Sequence, residues 1–205
     1  MTLNEDAAAR AAAEIRAMAR ADLALRQSLA QSGALFGRYH PEMAQLHRRH
    51  AERLRSIIET VGWPSPTRDG ADVVDDAWLI VQHAIGEPQF QRHMLVELTK
   101  EVDAGRLPAA RVALLEDRIR SYEGRPQRYG TQVDWDSNGE LSPWPEVEEP
   151  ESVEVRRAAV GLPPLAEQLQ RLRTDAREMG ERPPADLAAH RAAALAWAHS
   201  VGWRL

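Results

Sequence analysis

The apolar residues recur at helical spacing along most of the chain. Ile15, Met18, Leu25 and Leu29 are separated by steps close to 3.6 residues, which predicts a first helix over about residues 4–31. Glycine followed by proline then divides the sequence repeatedly, as is typical of consecutive helices. This punctuation predicts further helices over about residues 41–61, 71–85, 88–104, 108–122, 151–160, 164–179 and 184–201.

One segment alternates instead of following the helical period. Every second position from 127 to 135 would lie on one face of a β-strand. The sequence DSNG at 136–139 is a turn signal, and Pro143 and Pro145 limit any returning strand to a short one at an edge. The chain is therefore predicted to be mainly α, a compact multi-helix domain with one short β-hairpin near residues 127–145.

Length and composition narrow the possible classes of protein. The 205 residues favour a single domain, with the hairpin inserted at about 126–146 and a helical extension at about 184–205. There is no cysteine, no basic excess and no run of about 20 apolar residues, which argues against disulfide, nucleic-acid and membrane-spanning classes. The first 30 residues lack the apolar stretch of a secretory signal, so we expect a cytoplasmic protein.

The negative charge is concentrated in one segment. Residues 134–154 contain eight acidic residues and no lysine or arginine, so the remainder of the chain carries +3 against a total of -5. Acidic side chains of this kind can simply be solvated, or lie at a helix N-terminus, where they are favourable. A surface for a cation or a basic partner is the alternative interpretation.

Two polar residues interrupt apolar helix faces. Asp22 lies in the same stripe as Met18 and Leu25, where it either pairs with Arg26 or belongs to a site. His83 ends the apolar run WLIVQH, after Gln82. A histidine there either satisfies a neighbouring polar group or acts in proton transfer.

Two histidine pairs have the spacing of possible metal ligands. His47 and His50 are three residues apart in the second predicted helix, and His93 and Glu97 are four apart in the fourth. Neither pair has a second signature such as HExxH, and charged residues surround both. We interpret all four as surface residues, so a metal site is not indicated.

The segment PQRYGTQ at 126–132 is unusual for a strand, because its polar residues would share a face with Val133 and Trp135. Inward polar groups need partners from protein, water or ligand. Asp117, Arg118 and Arg157 are further candidates, since an arginine can hold a carboxylate or phosphate, although an internal salt bridge is more common.

Together these segments resemble an uncharacterised bacterial family known only as a domain of unknown function. The resemblance covers about residues 14–168 and rests mainly on WLIVQHA at 78–84 and PQxYGTQ at 126–132. The second helix departs from the family pattern near His47 and His50. The resemblance names no reaction, but its polar pattern implies a site containing Asp22, Arg26, His83, Asp117, Gln127, Tyr129 and Gln132.

The sequence thus predicts a cytoplasmic enzyme that acts on a small polar or amino-acid-like molecule. His83 would be the general acid/base, oriented by Asp22 or Asp117. The substrate-binding residues would be Arg26, Gln82, Arg118, Gln127, Tyr129, Gln132 and Arg157. The pocket would lie between the first, third and fifth predicted helices, closed by the hairpin.

Two alternatives stay open at this point. The polar residues could form a structural network in a non-catalytic ligand-binding or protein-interaction module. His83 with Asp22 or Asp117 could instead serve a metal-dependent enzyme. The sequence identifies no cofactor and no oligomeric state, and the expected partner is a small molecule rather than nucleic acid or a membrane.

Overall fold

The computed structural model describes residues 3–34 and 39–204, and it confirms a mainly α fold with one short β-hairpin. None of the described helices is long and apolar enough to cross a membrane. The helices are α1 Leu3–Gln31, α2 Pro41–Val61, α3 Pro66–Asp69, α4 Ala71–His83, α5 Pro88–Asp103, α6 Ala109–Glu123, α7 Val153–Ala159, α8 Leu165–Glu178 and α9 Leu187–Ser200. The strands are β1 Val133–Trp135 and β2 Leu141–Pro143.

The ends of the helices follow the local sequence signals. Pro41 occupies the first turn of α2, and the side chain of His40 caps that helix by accepting the backbone N–H of Glu42. Gly62 ends α2 with a φ of 79°, and its N–H donates to the carbonyl of Ile58. The short α3 lies within a segment predicted as a loop, because Ser65 caps a single helical turn there.

The chain forms two compact units, Met1–Met94 and Leu95–Leu205. In the first unit, α1 packs against α2 and α4, and α2 also packs against α4. Apolar residues of these three helices form its core, among them Ile15, Leu54, Ile57, Val73, Ala77 and Ile80. The prediction of a single domain stays a prediction.

The second unit contains the hairpin and the C-terminal helices. Strands β1 and β2 pair antiparallel, with Trp135 opposite Leu141. The first strand begins at Val133 rather than at 127, because the preceding loop turns at Gly130, which has a φ of 66°. A Cβ atom at Gly130 would lie 3.1 Å from the side chain of Val147, so the turn also requires a residue without a side chain.

Part of the acidic segment is paired within this second unit. Asp134 forms an ion pair with Arg191 and also contacts His190, Glu140 pairs with Arg173, and Glu148 pairs with Arg120 and Arg128. Arginines from α6, α8 and α9 thus supply the positive charge that the segment lacks. These contacts favour an internal role for part of the acidic charge.

Candidate functional site

Asp22 is a buried carboxylate near the middle of α1. It lies four residues after Met18, and no part of the residue is exposed. A carboxylate loses solvation when it is buried, so it persists there only with polar or charged partners. The partners of Asp22 therefore define the candidate site.

Two imidazoles from different helices contact the two oxygens of Asp22. His83, the last residue of α4, places Nδ1 2.8 Å from Oδ1. His47 of α2 places Nε2 2.9 Å from Oδ2. One potential ligand atom of each residue lies within 4.8 Å of the others, so α1, α2 and α4 each supply one side chain to what we call the Asp22 cluster: Asp22, His47 and His83.

The two contacts differ in quality. Nδ1 of His83 and Oδ1 of Asp22 form a hydrogen bond. Nε2 of His47 and Oδ2 of Asp22 are close enough for one but are not aligned for it, and neither atom has a hydrogen-bond partner among the described residues. Both atoms are buried, which makes an unmade hydrogen bond costly.

Asp22 is ionised at neutral pH. Burial alone raises the pKa of a carboxyl group. The contacts with His47 and His83 act in the opposite direction and outweigh burial, so the pKa of Asp22 lies well below its ordinary value. The cluster therefore contains a fixed negative charge between two imidazoles.

The outer contacts of His47 fix its ring. The hydroxyl of Tyr39 lies 2.7 Å from Nδ1 of His47, and the two rings are stacked with centroids 5.7 Å apart. Gly86 lies against the Tyr39 ring, and a Cβ atom added to Gly86 would be 3.2 Å from Cε1 of Tyr39. Tyr39 thus orients the nitrogen that faces Asp22, as an outer hydrogen bond does for many histidine ligands.

His83 is positioned by the end of α4. The last carbonyls of a helix have no partners within it. Gln91, at the start of α5, is fully buried and donates from Nε2 to the carbonyl of Val81 at 2.7 Å. This bond fixes the last turn of α4 two residues before His83.

The interpretation of His47 and His50 as surface residues is wrong, since both are buried. They lie on the face of α2 that also carries Met43 and Leu54, at offsets of four, seven and eleven residues from Met43. That spacing was the signal that could have found them. Charged neighbours on the opposite face obscured it.

His50 gives the first prediction: the free energy of unfolding falls as the pH drops below about 6.5. Burial lowers the pKa of His50 below its ordinary value of 6.5, with Asp22 acting in the opposite direction and His47 and Arg49 adding to the lowering. The unfolded chain therefore takes up this proton at a higher pH than the folded one, and acid favours unfolding. We expect His50→Gln to flatten the slope between pH 5 and 7 by up to about 1.4 kcal/mol per pH unit, measured by urea denaturation.

His93→Gln is the control for this prediction, because His93 is exposed. The lowered pKa of Asp22 also makes the free energy of unfolding fall in acid, but only below about pH 3.8, outside the range measured for His50. An unchanged slope in His50→Gln between pH 5 and 7 would show that another group takes up the proton.

A second polar cluster lies in the other unit and centres on Asp117. This residue of α6 is fully buried. Its Oδ1 accepts the backbone N–H of Arg128 at 2.7 Å, and its Oδ2 accepts that of Thr131 at 2.9 Å. The N–H of Tyr129 donates to both oxygens, at 3.2 and 3.1 Å. The carboxylate thus binds the loop that carries the PQRYGTQ motif.

Gln127 closes the same loop. Its Nε2 donates to the carbonyl oxygens of Gln132 at 2.8 Å and Pro145 at 2.7 Å, and its Oε1 accepts the N–H of Gln132 at 2.8 Å. Nε2 of Gln132 donates to Oγ1 of Thr131 at 3.2 Å. The amide of Gln127 and the hydroxyl of Thr131, two of the polar groups predicted to face inward, therefore find protein partners.

Arg157 is also fully buried in this unit. Its guanidinium donates to the carbonyls of Pro163, at 2.7 Å, and Tyr129, and to Oε1 of Gln168 at 2.6 Å. Burial lowers the pKa of Arg157, while Glu154 and Asp117 act in the opposite direction. The side chain joins the motif loop to α7 and α8.

The remaining candidates lie beside these clusters. Arg26 is exposed on α1, one turn after Asp22, and Gln82 is half-buried next to His83. Arg118 is half-buried on α6 next to Asp117. The structure thus brings Asp22 and His83 together in the first unit, and Asp117 with Gln127, Tyr129, Gln132 and Arg157 in the second. The single pocket expected from the sequence stays a prediction.

Comparison with known proteins shows a similarity to one protein family over most of the chain. A family model described as "Family of unknown function (DUF6624)" matches residues 10–180. No curated protein and no solved structure matches the chain significantly. The match ends before the segment predicted as a C-terminal extension.

Proposed function

This chain belongs to a family of unknown function, and we propose that it is a cytoplasmic enzyme that uses His83 as a general acid/base on a small polar or amino-acid-like molecule. One observation carries the proposal: the 2.8 Å hydrogen bond between Nδ1 of His83 and the fully buried carboxylate of Asp22. An imidazole held by a carboxylate in this way is the usual arrangement for proton transfer near neutral pH.

The hydrogen bond sets the proton positions on His83. Asp22 accepts a hydrogen bond from the N–H of Nδ1, which leaves Nε2 as the nitrogen that can take a proton from a substrate. The imidazolium so formed is stabilised by the ionised Asp22 and can return its proton to the product. The side chain of His83 is 23% exposed, so a small molecule can approach it while Asp22 stays buried.

The neighbouring groups agree with a small polar substrate. Arg26 is exposed one turn beyond Asp22 on α1 and is the proposed contact for an anionic group. Gln82 precedes His83 and offers an amide. The whole sequence contains no cysteine, which agrees with a reducing compartment.

The proposal is tested by comparing wild-type protein with His83→Gln, both stripped of metal with a chelator. Each is incubated with pools of amino acids and other small polar metabolites, and depletion is followed by mass spectrometry. We expect wild-type protein to consume at least one compound, and His83→Gln to lower kcat/KM at least about 100-fold, the usual contribution of a general acid/base. His93→Gln serves as the matched exposed control.

Stability measurements separate this proposal from the non-catalytic alternative. Glutamine keeps an N–H for Asp22, so His83→Gln is expected to lower the free energy of unfolding by about 1 kcal/mol or less. A loss of several kcal/mol, together with no substrate for wild-type protein, would favour a structural network in a binding or interaction module. Equal turnover by both proteins contradicts the role of His83.

A further inference from the structure

We infer that the Asp22 cluster binds one divalent transition-metal ion of the Zn²⁺ class. The bound ion and the hydrogen bond between Nδ1 of His83 and Asp22, on which the proposed acid/base role depends, exclude each other. The inference goes beyond the proposed function, because binding of the ion does not depend on any reaction. The first observation is the convergence of one potential ligand atom from each of Asp22, His47 and His83 within 4.8 Å.

The second observation is the unaligned pair in the cluster. Nε2 of His47 and Oδ2 of Asp22 are buried and 2.9 Å apart, yet neither has a hydrogen-bond partner among the described residues. A shared ion would give both buried atoms the partner that they lack. Two ligands of one tetrahedral zinc ion lie about 3.4 Å apart, so the contacts of 2.8 and 2.9 Å would lengthen on binding, and any separation that approaches 4.8 Å would shorten.

The chemistry of the three side chains defines the class of ion. Two imidazoles and one carboxylate suit Zn²⁺, Co²⁺ or Fe²⁺, whereas Mg²⁺ and Ca²⁺ prefer oxygen ligands alone. Three protein ligands leave a further position open for water or a small ligand. With an ion on Nε2 of His47, the ring carries its proton on Nδ1 and donates it to the hydroxyl of Tyr39, which is the outer hydrogen bond that such ligands commonly make.

Competition between the ion and the proton follows from the atoms involved. Nδ1 of His83 holds the proton that is shared with Oδ1 of Asp22. A metal ion binds this nitrogen only when the proton has left. Occupancy of the cluster by metal therefore removes the hydrogen bond on which the proposed role of His83 depends, and metal uptake is expected to inhibit the enzyme.

The experiment is a metal titration of the full chain, purified without an affinity tag and stripped of metal. Co²⁺ is added and its visible absorption followed, and Zn²⁺ is then added as a competitor. We expect one equivalent to bind with a dissociation constant in the micromolar range or below. His47→Gln and His83→Gln should each weaken binding at least about 100-fold, and Tyr39→Phe about tenfold.

His93→Gln is the matched control, because His93 is an exposed histidine beside Glu97 and outside the cluster. Circular dichroism checks that each variant is folded, and His83→Gln alone carries the test if the buried His47 variant fails to fold. Absence of binding by wild-type protein overturns the inference. So does equal binding by wild-type protein and His83→Gln.

The outcomes for the metal site and for the proposed function are distinguishable. Turnover by metal-free protein that binds no metal overturns this inference and leaves the role of His83 intact. Binding of one equivalent by a protein whose turnover requires the metal supports the site but overturns a metal-free acid/base mechanism and the predicted inhibition.

Discussion

Asp117→Asn is expected to lower the free energy of unfolding by about 3–5 kcal/mol, a large part of the 5–15 kcal/mol that is typical of a native protein. The carboxylate of Asp117 accepts backbone N–H groups from Arg128, Tyr129 and Thr131 in the fully buried interior of the second unit. In asparagine an N–H₂ group replaces one of the two carboxylate oxygens, and this group cannot accept the backbone N–H groups on its side. At least one buried N–H therefore loses its acceptor, and the loop loses a negative charge that binds it. Urea denaturation followed by circular dichroism measures the loss.

Asp175→Asn is the control, because Asp175 is exposed on α8 and its replacement is expected to change stability by no more than about 0.5 kcal/mol. The same variants separate the structural role from the catalytic role predicted for Asp117. If the role is structural, turnover per folded molecule stays at the wild-type level. A loss of stability below about 1 kcal/mol, with turnover abolished, would instead support catalysis by Asp117.

The helices were predictable because their signals are local. Pro41 and Gly62 mark the first turn and the end of α2, and both act through backbone geometry alone. The hairpin turn was predictable for the same reason. The start of β1 was not, because the loop before it is held by the side chains of Asp117 and Gln127, which the strand pattern does not reveal.

The Asp22 cluster was predictable only in part. The position of Asp22 in an apolar stripe shows that it faces other helices, and the apolar run before His83 shows the same. Periodicity identifies the buried face of each helix but not which faces meet. The partnership of Asp22 with His47 depends on how α1, α2 and α4 pack, and that is a property of the assembled unit.

The polar composition of the PQRYGTQ segment predicts that its side chains need partners, but it does not identify those partners. Its polar residues were expected to need partners, and Gln127, Tyr129 and Thr131 are indeed buried. The identity of those partners follows from a loop with a positive φ at Gly130, which lets three N–H groups point at one carboxylate. No regular repeat encodes such a loop.

Arg157→Met is expected to lower the free energy of unfolding by about 3 kcal/mol or more, because it leaves buried acceptors without a donor. Methionine fills much of the same volume but cannot donate to the carbonyls of Pro163 and Tyr129 or to the amide oxygen of Gln168. Arg157→Lys keeps the charge but cannot reach three acceptors from one planar group, so it should recover only part of the loss. Urea denaturation of the three proteins measures both effects.

Arg171→Met is the control for Arg157, since Arg171 is exposed on α8 and its loss should change stability by no more than about 0.5 kcal/mol. The comparison also decides between two roles for Arg157. As a structural link between the motif loop and α7 and α8, it contributes to stability, and its loss affects turnover only through the folded fraction. If Arg157 is instead the substrate-binding residue predicted from the sequence, its replacement would leave the free energy of unfolding near the wild-type value and raise KM. That result would place the substrate against the motif loop.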